Sequence, residues 1–481
     1  MKNGIKLSRG ATLVLITITG VVGYYFATNS GQASTNKVSP TLPLSDDALK
    51  AATQSMRARH PDMSSDSTAN MIDLGSKLFV DKGFSSNGEV ACSTCHQPET
   101  SFTDSKPTGA GIAVGGMNTP TIINAYAGHW FFWNGRADSL EAQALGPVEN
   151  PGEHGFSRGQ VVRRLIEHYK TPYEALFGPI PPEATNSEQV FARPASKPAR
   201  VSHEVAAYAL ATLGSPILQK SILHEAQSKS LQPVEILENM AAGSAEKPTA
   251  FDQLPEVRKA AINNVFRNFG RAIAAFERTV VTTDASFDRF ADRFSGVDNP
   301  TQALGEGFGE PELRGLRIFT GRGNCVLCHQ GRLFTDQQFH NIGLPPVKSD
   351  SVDLGRAQGM LIARGSEFSC LGTFAAQDTA RMTTSESCHE LKFIETESAE
   401  AVGAFKTPTL RNLRDTAPYG HDGRFPRVRD VLNHYNNLGT VNTVGHTEDS
   451  LRPLVLSSGE LDDLEVFLMS LSSTVDFYKA H

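Results

Sequence analysis

The sequence predicts a mainly α-helical chain built as two similar domains. Three observations carry that expectation. A short apolar segment at helical spacing occurs twice, at Met71–Val80 and Leu313–Phe319. Each copy runs through a loop into a C-x-x-C-H motif, Cys92-Ser93-Thr94-Cys95-His96 and Cys325-Val326-Leu327-Cys328-His329. The remaining helical stretches are separated by long loops rich in glycine and proline.

The C-x-x-C-H spacing places two thiols to form thioethers with the vinyl groups of one haem, and the histidine then reaches the iron as proximal ligand. A zinc site or a disulfide pair would leave both trailing histidines unexplained. The two motifs hold four of the six cysteines, so the expectation is two covalently bound c-type haems on Cys92, Cys95, His96 and on Cys325, Cys328, His329. A short helix, a loop and C-x-x-C-H form the entrance to a cytochrome c domain, which makes the fold two cytochrome c-like haem domains with long loops and insertions.

Taken in order, Lys2, Lys6 and Arg9 precede an apolar run from Ala11 to Ala27, with Gly31-Gln32-Ala33 as a cleavage site. Residues 1–34 therefore read as a signal peptide or an N-terminal anchor. Either way the remainder is exported to the periplasm, soluble after cleavage or tethered to the inner membrane, in keeping with haem attachment outside the cytoplasm. Residues 35–67 read as a linker, 68–284 as the N-terminal haem domain with a helical insertion, and 285–475 as the C-terminal haem domain. Further helices are expected at Gln160–Tyr169, Ser202–Leu213 and Val257–Val281. A loop is expected over Pro179–Pro198, a crossover over Val281–Phe294, and an irregular surface insertion over Leu371–Ala401. Cys370 and Cys388 form a local disulfide in an oxidising compartment or remain two free thiols. The formal charge of −7 over 481 residues argues against a nucleic-acid partner.

Several further stretches give the chain its resemblance: Asn118-Thr119-Pro120-Thr121, Phe132-Trp133-Asn134-Gly135-Arg136-Ala137, Gln143-Ala144-Leu145-Gly146-Pro147-Val148, Asp353-Leu354-Gly355-Arg356, and Lys406-Thr407-Pro408-Thr409-Leu410-Arg411-Asn412 running into Thr416-Ala417-Pro418-Tyr419. With the haem motifs they resemble the bacterial dihaem cytochrome c peroxidase family, including its MauG-like branch, from about Asp73 to the C-terminus. The resemblance implies a peroxide-reactive N-terminal haem and a six-coordinate C-terminal haem that relays electrons. It makes Glu153, ten residues after Gln143, the acid–base group, where the bland reading is a solvated loop carboxylate. Gln143 supports that pocket and Pro147 lies in its wall. Trp133 matches the interhaem tryptophan, and Trp130 reads as core. The resemblance also implies a calcium ion between the domains, held by the Asn118 side chain and the Thr416 and Pro418 carbonyls.

Two departures matter. Family members close the first haem with a histidine in the following loop, but Gln97–Met117 has none and is glycine-rich, so that haem is expected to be open at rest. His129 and His154 read as hydrogen-bonded loop residues. At the second haem the usual distal methionine position falls on Tyr435, a ligand in MauG-like proteins, with His434 adjacent; otherwise Tyr435 is a packed ring. The resulting expectation is a peroxidase reducing hydrogen peroxide with electrons from a small cytochrome c or cupredoxin. The alternative is a MauG-like oxidase acting on a partner protein. A dihaem electron carrier is disfavoured by Glu153 and Gln143. Family members are often homodimers.

Overall fold

Each haem motif is preceded by a helix that crosses a second helix at a glycine. Helix α1 (Asp46–Met56) comes first, and α2 (Ala69–Val80), capped by the Thr68 hydroxyl, leads to the first motif. Then follow α3 (Leu140–Glu149), α4 (Arg158–His168), α5 (Lys170–Phe177) and the long α6 (Glu256–Glu277). Helix α7 (Ser286–Ser295) opens the second half, and α8 (Glu310–Thr320) leads to the second motif. The chain continues through α9 (Arg356–Gly365), α10 (Glu386–Phe393), α11 (Val428–Asn436) and α12 (Ser458–Met469). This computed structural model describes residues 44–59, 68–185, 251–346, 353–375, 386–393, 399–439 and 444–477. All of them belong to one folded body, Thr41–His481.

Gly75 of α2 lies so close to α6 that a Cβ there would sit 1.8 Å from the Ala272 carbonyl oxygen, and one on Gly315 of α8 would sit 2.1 Å from that of Asp463 in α12. Only glycine permits such helix contact. The same device sets the entry to both haem motifs. Two hydrophobic cores form around these crossings. The first gathers Leu74, Leu78, Phe79, Phe84, Val265, Phe266 and Phe269. The second gathers Phe287, Phe290, Phe294, Phe319, Phe334, Leu464 and Phe467.

Strand content is slight. Val280–Val281 (β1) pairs antiparallel with Asp476–Phe477 (β4), and Phe339–His340 (β2) with Phe405–Lys406 (β3). The β1–β4 pair returns the end of the second half to the first, where Phe477 packs on Phe102 and Phe276.

Several stretches differ from expectation. The presumed linker contains α1, whose Leu49 and Met56 are buried in the second core; its apolar spacing is short and was masked by polar neighbours. The presumed crossover is β1 followed by α7, an aromatic helix fully engaged in the second core. Helix α6 stops at Glu277, before Val280–Val281 adopt the strand conformation that β-branched residues favour. The Leu371–Ala401 stretch is more than a surface insertion. A disulfide joins Cys370 to Cys388, and Cys388 and Leu391 are buried. Just before it, Phe368 packs edge-on to Phe266 of the first core, and Glu367 pairs with Arg158. The N-terminal segment 1–34 and the expected helix Ser202–Leu213 lie outside the described residues. Among the described residues no helix is long and apolar enough to cross a membrane.

Candidate active site: two haem sockets

Cys92–Cys95 form a single helical turn, and Cys325–Leu327 a tighter one. In the first socket His96 Nδ1 lies 3.1 Å from the Phe102 carbonyl oxygen; in the second His329 Nδ1 lies 2.8 Å from that of Phe334. A carbonyl only accepts, so Nδ1 carries the proton and Nε2 keeps its lone pair. Burial lowers the pKa of both imidazoles, which favours the neutral ring. An imidazole oriented in this way is prepared to ligate iron.

The two carbonyls are positioned alike. Phe102 and Phe334 both have positive φ, 58° and 54°. Thr121 Oγ1 donates to the Ser101 carbonyl at 2.6 Å, and Thr409 Oγ1 to that of Leu333 at 2.7 Å. These threonines end the repeated Thr-Pro-Thr, 119–121 and 407–409. The correspondence continues at constant spacing. Asn124 and Asn412, both left-handed, each start a 3-10 turn. The bridges Phe131↔Ala137 and Tyr419↔Phe425 enclose Gly135 and Gly423, at φ 66° and 65°. Helices α3 and α11 follow. In this register Pro147 of α3 matches Tyr435 of α11. The doubled Thr-Pro-Thr and Gly-Arg pairs were the available signal for this internal repeat.

Around the first socket, Glu153 lies just beyond α3. Its carboxylate raises both Cys92 and Cys95, whose thiols are pushed up chiefly by burial. Asn150 Nδ2 donates to Glu153 Oε1 at 2.7 Å. The histidine-free loop turns back on this segment: Ile112 N–H donates to the Glu153 carbonyl at 3.0 Å and Ala113 N–H to that of Gly152 at 2.8 Å. A Cβ on Gly111 would approach Glu153 Cα to 2.6 Å, so the loop's glycine content permits this contact. Gln143 and Pro147 lie half-buried on α3. His154 Nδ1 donates to the Phe84 carbonyl at 2.9 Å.

Around the second socket, Tyr435 is raised by burial and then by Cys325 and Cys328. His434 Nε2 instead donates to the Ile342 carbonyl at 2.9 Å, which engages the competing histidine elsewhere. His340, absent from the expected site, is bridged by Asp336 at 2.9 Å and Glu448 at 2.8 Å. It forms a close trio with Cys328 and Asp336.

Trp133 stands between the halves. Its Nε1–H donates to the Asn118 carbonyl at 3.0 Å, and its own carbonyl accepts from Lys406 N–H at 2.8 Å. Its ring lies edge-on to His421, 6.5 Å away, which stacks on Phe405 at 3.7 Å. Burial lowers the His421 pKa to about 4. Asn118 N–H donates to the His421 carbonyl at 2.8 Å, beside the Thr416–Pro418 segment, while its Nδ2 donates to Lys106 O at 3.0 Å.

The residues present fit two haems. Besides the thiols and the oriented imidazoles, two enclosed cations, Arg136 and Lys406, make no carboxylate ion pair among the described residues. Burial lowers both, Lys406 to about 8. Arg136 lies on the Phe132 ring at 3.5 Å, and Lys406 Nζ makes only a 3.4 Å contact with Thr407 O. Buried cations of this kind call for anions such as haem propionates.

Residues 69–212 match the model of the di-haem cytochrome c peroxidase family. The chain is 28% identical to the methylamine utilization protein MauG of Methylorubrum extorquens over 84% of its own length and 79% of that protein. It is 26% identical to the cytochrome c551 peroxidase of Pseudomonas aeruginosa, over 75% and 70% of the two chains. The family hit and these relatives agree in making the chain similar to dihaem cytochrome c peroxidases, MauG proteins included. This similarity marks the protein as a peroxidase-type oxidoreductase, and the family it matches implies two c-type haems. The diheme peroxidase BthA of Burkholderia thailandensis has the same fold, with a TM-score of 0.53 and 16% identity, covering 89% of both chains.

Proposed function

We propose that this dihaem peroxidase reduces hydrogen peroxide to water in the periplasm, with electrons from a small cytochrome c or cupredoxin. The observation that carries the reading is the repeat pairing Pro147 with Tyr435. In one frame used twice, the first socket receives a side chain with no donor atom and the second receives a phenol. With a haem held in each socket, Pro147 would offer it no donor atom, whereas the Tyr435 oxygen could serve the second as a donor; the first would then suit peroxide and the second electron relay. The haems supply the redox chemistry.

Cys92, Cys95 and His96 hold the first haem, Cys325, Cys328 and His329 the second, and Arg136 and Lys406 neutralise propionates. Glu153 takes a proton from one peroxide oxygen and returns it to the other; Asn150 on Oε1 leaves Oε2 for that transfer. Gln143 lines the pocket. Trp133, bonded to both halves, bridges the haems. Asn118 Oδ1 with the Thr416 and Pro418 carbonyls suits a calcium ion, which ties the halves beside Trp133. The domain limits 68–284 and 285–475 follow the two sockets, with β4 reaching back across the boundary.

A second reading, a MauG-like oxidase modifying a partner protein, is favoured by Tyr435, because a hard anionic donor stabilises high iron oxidation states. Peroxide turnover by the as-isolated oxidised protein, with and without reduced small cytochrome c, separates the two. Rapid repeated oxidation of the cytochrome is the expected result. A peroxide-oxidised protein that accepts almost no electrons from it would overturn the peroxidase reading in favour of the oxidase.

A further inference from the structure

Trp130 is 2% exposed and sits in a polar enclosure unusual for a core indole. Its Nε1–H donates to Glu390 Oε2 at 2.7 Å. The Arg356 guanidinium lies 3.8 Å from the Trp130 ring centroid and 3.9 Å from that of Phe339, so it is shared between the two rings. Arg356 also donates to the Gly135 carbonyl at 2.8 Å and to Glu390 Oε1 at 3.3 Å. Glu390 stands on α10, two residues from Cys388, and the Cys370–Cys388 disulfide ties that helix to the body. A buried indole N–H needs only a carbonyl for satisfaction. Burying the Arg356 guanidinium and half-burying the Glu390 carboxylate to supply the acceptor is more than the indole needs, which points to a chemical use for the carboxylate.

One-electron oxidation makes an indole N–H far more acidic, bringing it into the range of a carboxylic acid. A carboxylate already hydrogen-bonded to it is placed to take the proton. The guanidinium over the ring favours the neutral indole by cation–π attraction. It repels a positive charge on the same ring. Together the two groups steer an oxidised Trp130 to the deprotonated, neutral radical. The site also adjoins the electron path. Trp133 is three residues away, within about 11 Å of Cα distance by chain reach. Phe339, edge-on to Trp130 at 6.2 Å, precedes His340 of the second socket.

We propose that Trp130 is a second oxidisable indole that passes single electrons from a surface donor to the haem pair, with Glu390 as its proton acceptor. This rests on the peroxide reading above, which supplies the oxidant. One electron leaves Trp130 by way of Trp133 for the peroxide-oxidised haem pair. The Nε1–H bond breaks and the proton forms the Glu390 carboxylic acid. A one-electron donor protein then returns an electron to the indole, and Glu390 returns the proton. The net change is one electron moved from donor to haems, with no net proton.

The test uses the full haem-loaded protein with ring-deuterated tryptophan, treated with hydrogen peroxide without donor, freeze-quenched, and followed by electron paramagnetic resonance and by haem optical spectra. With only two tryptophans in the chain, an organic radical signal that narrows on deuteration belongs to Trp130 or Trp133. The expected result is loss of that signal in Trp130→Phe with both haem spectra intact. In Glu390→Gln, which keeps an acceptor but not a base, a proton-coupled hyperfine splitting that exchanges in D2O is expected. An unchanged radical signal in Trp130→Phe, or an unchanged splitting in Glu390→Gln, overturns the proposal. Wild-type haem spectra that do not respond to peroxide overturn the peroxide reading itself, and this inference with it.

Discussion

Replacing Arg411 with methionine should unfasten the second socket. Arg411 and Asp288 are 2% and 4% exposed at their side chains and form a two-point pair, Nη1 to Oδ2 at 2.7 Å and Nη2 to Oδ1 at 3.0 Å. Asp288 also accepts the Ala58 N–H at 2.8 Å and the Ala285 N–H at 3.1 Å. Arg411 further donates to the Met56 carbonyl at 2.8 Å and the Arg332 carbonyl at 3.0 Å. One side chain thus ties the end of α1, the start of α7 and the loop whose Phe334 carbonyl orients His329. Methionine keeps the stem volume but strands a buried carboxylate, at a cost of about 3–5 kcal/mol. The two abandoned carbonyls add about 1 kcal/mol or more each where water cannot reach them. Together these come to about 5–7 kcal/mol, which corresponds to a fall in midpoint temperature of roughly 10–30 °C for a half-molecule of this size. Urea and thermal unfolding, followed by near-ultraviolet circular dichroism and by the absorption of the second haem, measure it. The paired variant Arg411→Met with Asp288→Leu should recover much of the loss, because no charge is left stranded. A single-variant loss below about 1 kcal/mol, the range of an exposed pair, would refute the reasoning.

Three further outcomes are expected. Glu153→Gln should leave both haem spectra intact while slowing peroxide cleavage by about two to four orders of magnitude; stopped-flow rates equal to wild type would remove Glu153 from the chemistry. Tyr435→Phe should change the optical and magnetic spectrum of the closed haem alone, and identical spectra would exclude the phenol as a ligand. His340 is raised above its ordinary 6.5 by Asp336 first and also by Glu448, the Cys328 share being lost where that sulfur is a thioether. An imidazolium held in this way contributes stability that is full below that ordinary value and is lost as pH rises through the raised one. Asp336 and Glu448 are lowered, so their share is lost instead in acid. Denaturation midpoints from pH 7 to 11 should therefore fall more steeply for wild type than for His340→Gln, and parallel profiles would contradict the charged bridge.

The haem motifs and the helices before them were legible because C-x-x-C-H is a covalent requirement and the apolar period is local. What the sequence did not disclose depends on distance. Glu390 meets Trp130 across 260 residues, and Glu448 meets His340 across 108; neither carboxylate has a neighbour in sequence that marks it. Helix α1 was hidden in a polar stretch because only Leu49, Thr53 and Met56 turn inward. The Leu371–Ala401 stretch looked like an appendage because its composition is polar, although the disulfide and the buried Leu391 set its helix against Trp130. The sequence left His434 and Tyr435 side by side; the Ile342 carbonyl that accepts from His434 lies 92 residues away.

The carbonyl–histidine clasp is the same in both sockets, down to the positive φ of its phenylalanine and the threonine behind it. The two sockets would therefore offer bound haems nearly equal imidazole donors from His96 and His329. Division of labour between them has to arise on the opposite faces and in the surrounding charge. A duplicated module of this kind can diverge by single substitutions on one face while its anchoring side stays untouched. In the reading proposed above, the reactive and the conducting centre would be exchangeable settings of one part, with Pro147 and Tyr435 at the matching position of the repeat.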